Sequence, residues 1–152
     1  MLVYFLEPGP GPLQDRLDEG ELPGRFVWRD ERCVAFLTIA PIRPGHLLVV
    51  PRDEVDHWLD LDQDLLAHLH AVARTLGKAL QHGFPCKKVG VMIAGLEVPH
   101  VHLHVLPIER LEDMDFANQD SDVRPEDLDA AADTVRASLR ALGLHATAQA
   151  IE

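Results

Sequence analysis

The chain has 152 residues, about the length of one domain, and its 14 Lys and Arg against 25 Asp and Glu give a formal net charge of −11. This charge repels the phosphates of nucleic acids and anionic membranes, so neither is expected as a partner, although a local cluster of donors can still bind a small phosphorylated ligand. Cys33 and Cys86 form no paired ligand spacing, and no stretch resembles a signal peptide or the roughly 20 apolar residues of a membrane span, which favours a cytoplasmic protein.

The first third of the chain predicts short strands separated by turns. A run of Pro and Gly at residues 7–12 separates an initial apolar strand from a weak helical stretch at residues 13–19. Prolines also mark a loop just before Gly45, because each removes a backbone donor and keeps the preceding residue out of helical geometry. The predicted elements that follow are strands at residues 25–30, 32–39 and 46–51, with the proline-rich loop at 40–45 before the last.

The rest of the chain predicts two helices and two further strands. Apolar residues recur with the 3.6-residue period of an amphipathic helix over residues 62–82. A second helix over residues 125–142 begins with Pro125 and two acids and stops at Gly143. Strands are expected at residues 87–94 and 100–107. We therefore predict an α+β fold in which helices lie on a mostly antiparallel five-stranded sheet. The apolar stripe of the first helix comprises Leu65, Leu69, Val72, Leu76 and Leu80, and that of the second helix comprises Leu128, Ala132, Val135, Leu139 and Leu142.

The stretch PHVHLHVLPI, which begins at Pro99, places a histidine at every second position. In a strand these alternate side chains share one face, so His100, His102 and His104 would stand about 6.6 Å apart, given a rise of about 3.3 Å per residue. The aliphatic residues between them would pack under a helix, and Pro99 and Pro107 would bound the strand. Strand propensity does not explain the row, because Val, Ile or Thr would suit a strand better.

Three interpretations of the row are open at this point. The histidines could simply lie on a solvated face. They could bind a metal ion, but His100 and His104 would be about 13 Å apart in a strand, so a third ligand would have to come from elsewhere, such as His46 or Glu97. Alternatively, one imidazole is a nucleophile and its neighbours handle protons and charge.

The motif HVHLHVL resembles the His-x-His-x-His-x-x signature, with apolar x, of the histidine triad (HIT) superfamily of nucleotide hydrolases and transferases. The upstream stretch AFLTIAPIRPGHLLVVPR, residues 35–52, is similar to the strand, proline-rich loop, Gly-His and aliphatic strand of that family. The resemblance covers about residues 25–108 of a single HIT-like domain at residues 1–152, and residues 109–152 form a C-terminal tail and helix. It implies the HIT-like α+β fold and a bacterial HIT-like nucleotide hydrolase or transferase.

By this resemblance, His102 would attack the α-phosphorus of a nucleoside phosphoramidate or dinucleoside polyphosphate and form a covalent nucleotidyl-histidine, which water then hydrolyses. The attacking ring has to be neutral, with one nitrogen held as a donor, usually to a backbone carbonyl, so that the other presents its lone pair. His100, His104 and His46 would complete the catalytic set. Neither a metal nor a cofactor is expected in this scheme.

The resemblance also implies a site for a purine nucleotide or nucleotide conjugate. Phe36 and Ile39 match apolar positions that hold the base, although core packing is an alternative role for both. Thr38 stands where many members have an aspartate that binds the ribose hydroxyls, and it lacks the paired acceptor oxygens of a carboxylate. Gly95 and Val98, just before the triad, would line the phosphate side of the site.

A second departure from the family pattern lies directly before the triad. Leu96 occupies a position where many members have glutamine, and Glu97 follows it. A carboxylate beside the α-phosphate would repel it, so we expect Glu97 to point to solvent or to pair with a cation. Contacts to the leaving group are expected from the acidic tail at residues 112–122.

The resemblance leaves the assembly and two other functions as expectations. The family commonly pairs two subunits edge to edge, so a homodimer that buries the edge strand is expected. The alternatives to an enzyme are a nucleotide-binding regulatory module with little turnover and a metal-dependent protein that uses the histidine row.

Overall fold

The computed structural model describes residues 24–144, so the predicted first strand and the helical stretch at residues 13–19 lie outside the described residues. Two helices and five strands in the described part confirm the predicted α+β class. Short 3-10 turns lie at Trp58–Asp60, Leu111–Met114 and Phe116–Asn118. The strands and helices in chain order are β1 (Phe26–Arg29), β2 (Cys33–Leu37), β3 (Leu47–Pro51), α1 (Gln63–Gly83), β4 (Lys88–Met92), β5 (Leu103–Ile108) and α2 (Pro125–Ala141).

The five strands form one sheet in the order β1-β2-β3-β5-β4, and every pair in it is antiparallel. Helix α1 connects β3 to β4, and β5 then inserts between those two strands. As a result His104 of β5 has Leu48 of β3 on one side and Met92 of β4 on the other. The third histidine of the row therefore lies in an interior strand of the sheet.

The two faces of the sheet have different chemistry because side chains alternate along each strand. The side chains of Leu103 and Val105 in β5 are fully buried in one core with Leu69 and Leu76 of α1. This confirms the prediction that the aliphatic residues of the row pack under a helix. The opposite face of the same strand carries His104, so the histidine chemistry lies on the side of the sheet away from the helical core.

Both helices begin and end close to the predicted positions. Asp62 caps α1, where its carboxylate accepts a hydrogen bond from the Leu65 amide at 3.3 Å. Helix α2 stops before Gly143, whose positive φ of 72° is the conformation in which glycine ends helices. Leu142 is 42% exposed and does not belong to the buried stripe that the sequence predicted. No helix of residues 24–144 is long and apolar enough to cross a membrane.

The strand predicted for the histidine row starts later and ends later than expected. β5 begins at Leu103, because its pairing with β3 ends at Leu103 and its pairing with β4 ends at His104. His100 and His102 therefore precede the strand, where the Val101 amide donates to the Val55 carbonyl at 2.8 Å. Pro107 lies inside β5 but beyond the residues that pair with β3, so β3 does not require a backbone N–H at this position.

Candidate active site

Four histidines come together where β3 and β5 meet. His46 immediately precedes β3 and His104 lies in β5. His100 ends the bend before β5, and His102 is the residue directly before that strand. Each is at most 5% exposed, although none is apolar. Gly45 turns the chain into His46 with a φ of +90°, and a Cβ added there would meet the Phe84 ring at 3.0 Å. Glycine is therefore required for the turn that delivers His46 to the cluster.

A chain of hydrogen bonds decides which nitrogen carries the proton in His46 and His104. The Ile42 amide donates to Nδ1 of His46 at 3.1 Å, so the proton of a neutral His46 ring sits on Nε2. That Nε2–H donates to Nδ1 of His104, 2.9 Å away. A neutral His104 then carries its own proton on Nε2, which has no partner among residues 24–144. His104 thus offers a free N–H donor to a ligand.

His102 has the opposite tautomer from His104. Its Nδ1 lies 2.7 Å from the carbonyl oxygen of His100, so the Nδ1–H donates to that carbonyl and Nε2 keeps its lone pair. His100 in turn donates from Nε2 to the Pro51 carbonyl at 2.8 Å, which fixes the orientation of its ring. The row therefore does not act as three equivalent side chains. Among residues 24–144 it provides one lone pair without a partner, on His102, and one free donor, on His104.

Burial keeps the whole cluster uncharged at neutral pH. Desolvation lowers the pKa of His46 to about 4. Desolvation also lowers the pKa of His104, and the adjacent His46 and His102 lower it further. Desolvation also lowers the pKa of His100 and His102, against smaller opposing effects from their carbonyl partners and from Glu54 and Glu97. A neutral ring is the form in which a histidine can act as a nucleophile.

The ring of His104 is enclosed by a residue that the sequence did not single out. Phe116 packs edge-on against it, with the ring centroids 4.8 Å apart, and the His102 ring lies at 4.9 Å on another side. The tail carrying Phe116 is tied to the loop before His46, because the Asp120 amide donates to the Pro41 carbonyl at 3.0 Å. The only sequence signal for this contact is a lone aromatic residue within the acidic stretch DMDFANQD.

The residues predicted to bind the nucleotide have different exposures. Phe36 is 2% exposed and packs edge-on against Phe26 with ring centroids 5.6 Å apart, which is the core role given as its alternative. Ile39 is 39% exposed and is free to contact a ligand. Thr38 is buried, and its hydroxyl accepts a hydrogen bond from the Ala40 amide at 3.3 Å. Val98 is also buried, and its carbonyl accepts from the His100 amide.

The loop before the triad is open to solvent. Gly95 has a φ of +75°, and a Cβ there would have no atom closer than the Asp56 carbonyl oxygen at 3.9 Å. Leu96 is 95% exposed and Glu97 is also exposed, which confirms that Glu97 points to solvent. Gly95 is the one predicted nucleotide-binding residue on a cleft of about 240 Å³ whose lining comprises Asp56, His57, Trp58, Ile93, Ala94, Gly95, Leu96 and Val101.

Two arginines flank the cluster in sequence but differ in their contacts. Arg52 donates from Nε to the Asp30 carbonyl at 2.7 Å, so it stabilises the turn between β1 and β2. Arg43 is half-buried, and its Nε is buried without a partner among residues 24–144. The histidine row itself does not bring three ligand atoms together within this part of the chain, so its geometry does not favour the metal interpretation.

An antiparallel five-stranded sheet with two helices and a His-x-His-x-His segment beside a Gly-His turn defines the class of HIT-like proteins. The HIT domain family model matches residues 19–111, and the chain belongs to this family. The HIT superfamily consists of nucleotide-binding proteins and hydrolases.

Individual relatives agree with this assignment. The chain is 33% identical over 94 residues to an uncharacterized HIT-like protein of Saccharolobus solfataricus, covering 59% of this chain and 68% of that protein. It is 32% identical over 101 residues to the asymmetrical bis(5'-nucleosyl)-tetraphosphatase of Schizosaccharomyces pombe, covering 63% and 54%. A crystal structure of a HIT-like protein involved in cell-cycle regulation from Bartonella henselae superposes with a TM-score of 0.68 at 27% identity, covering 82% and 93%.

Proposed function

We propose that this protein is a nucleotide hydrolase or transferase that attacks the α-phosphate of its substrate with Nε2 of His102. The observation that carries the proposal is the 2.7 Å hydrogen bond from Nδ1 of His102 to the His100 carbonyl oxygen. It places the proton on Nδ1 and leaves the Nε2 lone pair for the phosphorus. The same bond would stabilise the positive charge that the ring gains once Nε2 has bonded.

The proposed reaction has two displacements at the α-phosphorus. In the first, the Nε2–P bond forms as the bond from phosphorus to the leaving group breaks, and the leaving group departs with that electron pair, an amine leaving group taking up a proton from solvent. In the second, water attacks the same phosphorus, loses a proton to solvent and returns the electron pair of the N–P bond to Nε2 of His102. The free Nε2–H of His104 would donate a hydrogen bond to a phosphoryl oxygen in both steps, or to the departing group in the first step.

Two substrate classes are proposed, a nucleoside phosphoramidate and a dinucleoside polyphosphate. Both present an α-phosphate between a nucleoside and a leaving group, as a nucleotidyl-histidine mechanism requires. The resemblance to the S. pombe tetraphosphatase supports the second class, although the chain spans about half of that protein. The proposed nucleoside is a purine, with Ile39 exposed beside the site and Phe36 supporting the strand from within the core.

The wider properties of the protein are part of the same proposal. It would act as a single HIT-like domain over residues 1–152, as a homodimer and in the cytoplasm, without a metal in the catalytic step. The edge strand β4 supports the dimer, because Val91 on it is 45% exposed. The relatives compared come from archaea, yeast and bacteria, so a bacterial origin stays a prediction.

The test is hydrolysis of a fluorogenic adenosine phosphoramidate and of a dinucleoside tetraphosphate by wild type, His102→Ala and His70→Ala. His70 is a matched control because it is a histidine exposed on α1. We expect chelator-resistant turnover in wild type and His70→Ala, and a loss of at least 1,000-fold in His102→Ala. Intact mass should show a transient adduct of one nucleotidyl group on wild type and on His70→Ala, and none on His102→Ala.

Two outcomes contradict the proposal in different ways. Turnover retained by His102→Ala would mean that another group is the nucleophile. Nucleotide binding without turnover of any substrate would favour a regulatory nucleotide-binding module. Equilibrium binding of AMP, measured on the same three proteins, separates a lost reaction from a lost site.

A further inference from the structure

A second cluster of polar side chains lies where the turn between β1 and β2 meets helix α1. Asp30 belongs to the turn, Cys33 begins β2, and His68 lies on α1. One oxygen of Asp30, the sulfur of Cys33 and one ring nitrogen of His68 all lie within 4.8 Å of one another. The cluster shares no residue with the histidine site, and Cys33 belongs to the core between the sheet and the helices.

We propose that Asp30, Cys33 and His68 bind a divalent transition-metal ion that accepts sulfur ligands, such as Zn²⁺, with water in the fourth position. Thiolate, imidazole and carboxylate are the three ligand types that zinc takes in proteins. Three ligands from three different elements would tie the hairpin of β1 and β2 to helix α1. The site would therefore be structural, because it joins elements and lies apart from the catalytic histidines.

The spacing of the ligand atoms fits a tetrahedral ion. With a metal–sulfur bond of about 2.3 Å and a metal–oxygen bond of about 2.0 Å, tetrahedral geometry places sulfur and oxygen about 3.5 Å apart. Sγ of Cys33 lies 3.5 Å from Oδ2 of Asp30. The corresponding nitrogen–oxygen distance is about 3.3 Å. Nε2 of His68 lies 2.8 Å from Oδ2, so the ring has to move outward by about 0.5 Å.

That movement is open to His68 because its side chain is 31% exposed on the surface of α1. The ion would enter from this side, since Cys33 is fully buried behind Asp30. In the structure His68 and Asp30 share a hydrogen bond. On binding, the proton of a neutral His68 would move from Nε2 to Nδ1, and the thiol of Cys33 would release its proton to solvent.

Charge supports the same assignment. The negative charges of the Asp30 carboxylate and the Cys33 thiolate would together balance the two positive charges of the ion. Without an ion, a buried thiolate would place a second negative charge beside Asp30. Burial and the Asp30 carboxylate raise the pKa of the Cys33 thiol well above its usual value when no ion is bound. The ion is the positive charge that would allow the thiol to ionise.

The surrounding groups hold the carboxylate in the required orientation. Oδ1 of Asp30 accepts the amides of Arg32 and Cys33, both at 2.8 Å, which directs Oδ2 toward the sulfur. The indole Nε1–H of Trp28 donates to Oδ2 at 2.8 Å and leaves a second lone-pair direction on that oxygen. Such donors around the ligands orient them and increase metal affinity.

The experiment is titration of the full chain with Co²⁺ after treatment with a chelator, followed by competition with Zn²⁺. A thiolate bound to Co²⁺ gives a charge-transfer band in the near ultraviolet, which distinguishes this cluster from the catalytic histidines, since those have no thiol. We expect the band in wild type at one ion per chain and none in Cys33→Ser. The control Cys86→Ser removes the other thiol and should keep the band.

Variants of α1 keep the test informative if Cys33→Ser fails to fold. His68→Gln should weaken Co²⁺ binding at least tenfold, while His70→Gln, two residues away on the same helix, should bind as wild type does. Zn²⁺ should also raise the thermal midpoint of wild type more than that of His68→Gln. Absence of the band in folded wild type, its loss in Cys86→Ser, or equal binding by His68→Gln would each overturn the proposal.

Discussion

Lowering the pH from 7.0 to 5.5 should destabilise the fold steeply through the four buried histidines. In the unfolded chain a histidine has a pKa of about 6.5, whereas in the folded chain burial lowers the pKa of His46 to about 4. A lowered folded-state pKa means that the unfolded chain binds the proton more tightly. Stability is therefore fully present above about pH 6.5 and is lost as the pH falls toward the folded-state value.

The magnitude follows from the number of protons taken up. Between pH 7.0 and 5.5, each histidine that stays neutral in the fold lowers the free energy of unfolding by about 1.2 kcal/mol. The same direction of pKa shift holds for His100, His102 and His104. For His46 and His104, whose pKa values are lowered far enough for both rings to stay neutral in this window, the loss amounts to about 2.5 kcal/mol, and His100 and His102 add to it in the same direction. The carboxylate of Asp30 does not contribute in this window, because its pKa is lowered to about 2.

Urea unfolding at several pH values measures this loss, and the slope against pH gives the proton uptake directly. His46→Gln should reduce the loss by the share of one histidine, about 1.2 kcal/mol. His70→Gln, at an exposed position on α1, should leave the slope as it is in wild type. A wild-type loss below about 1 kcal/mol would refute the reasoning, and so would an equal effect of the two substitutions.

Three further predictions test the geometry around the site. Gly45→Ala should lower the free energy of unfolding, measured with urea, by about 1–3 kcal/mol, because Gly45 has a positive φ and the added Cβ would contact Phe84. Gly143→Ala should lower it less, because no atom lies within 4 Å of the Cβ added there. Phe116→Ala should lower kcat/KM for the phosphoramidate several-fold, up to about tenfold, by freeing the His104 ring, and an unchanged value would remove Phe116 from the site. Asp30→Ala should lower the free energy of unfolding by about 1–3 kcal/mol, measured with urea in the presence of chelator at pH 7, because the amides of Arg32 and Cys33 lose their acceptor. A loss of only a few tenths of a kcal/mol would contradict this role of Asp30.

Periodicity in the sequence was sufficient to predict most of the elements. The 3.6-residue stripe of α1 and the alternation of His104 with Leu103 and Val105 are local patterns, and burial confirms each of them. The resemblance placed His46 beside the triad, and His46 is hydrogen-bonded to His104. The stripe of α1 and the alternation in β5 could be predicted because each depends on residues a few positions apart in the sequence. The position of His46 could be predicted because the family motif includes both β3 and β5, which pair with each other.

The features that escaped prediction depend on contacts between distant segments. β5 begins at Leu103 because the neighbouring strands stop pairing there, and the row alone does not contain that information. Phe116 reaches His104 only because the tail returns to the loop before β3. Asp30 and Cys33 are neighbours at the turn before β2, but His68 lies on α1, so no ligand spacing in the sequence connects the three residues.

The charge of the chain and the neutrality of the site have a joint consequence for recognition. A net charge of −11 repels an anionic nucleotide, and histidines whose pKa values are lowered by burial add no positive charge to oppose that repulsion at pH 7. A nucleotide would therefore be held by directed donors, of which the free Nε2–H of His104 is one, together with backbone amides. Positive charge would arise at His102 only as its ring bonds to phosphorus, next to the His100 carbonyl that already accepts its Nδ1–H. Such a site favours the transition state over the bound substrate, because its strongest electrostatic interaction forms during the reaction.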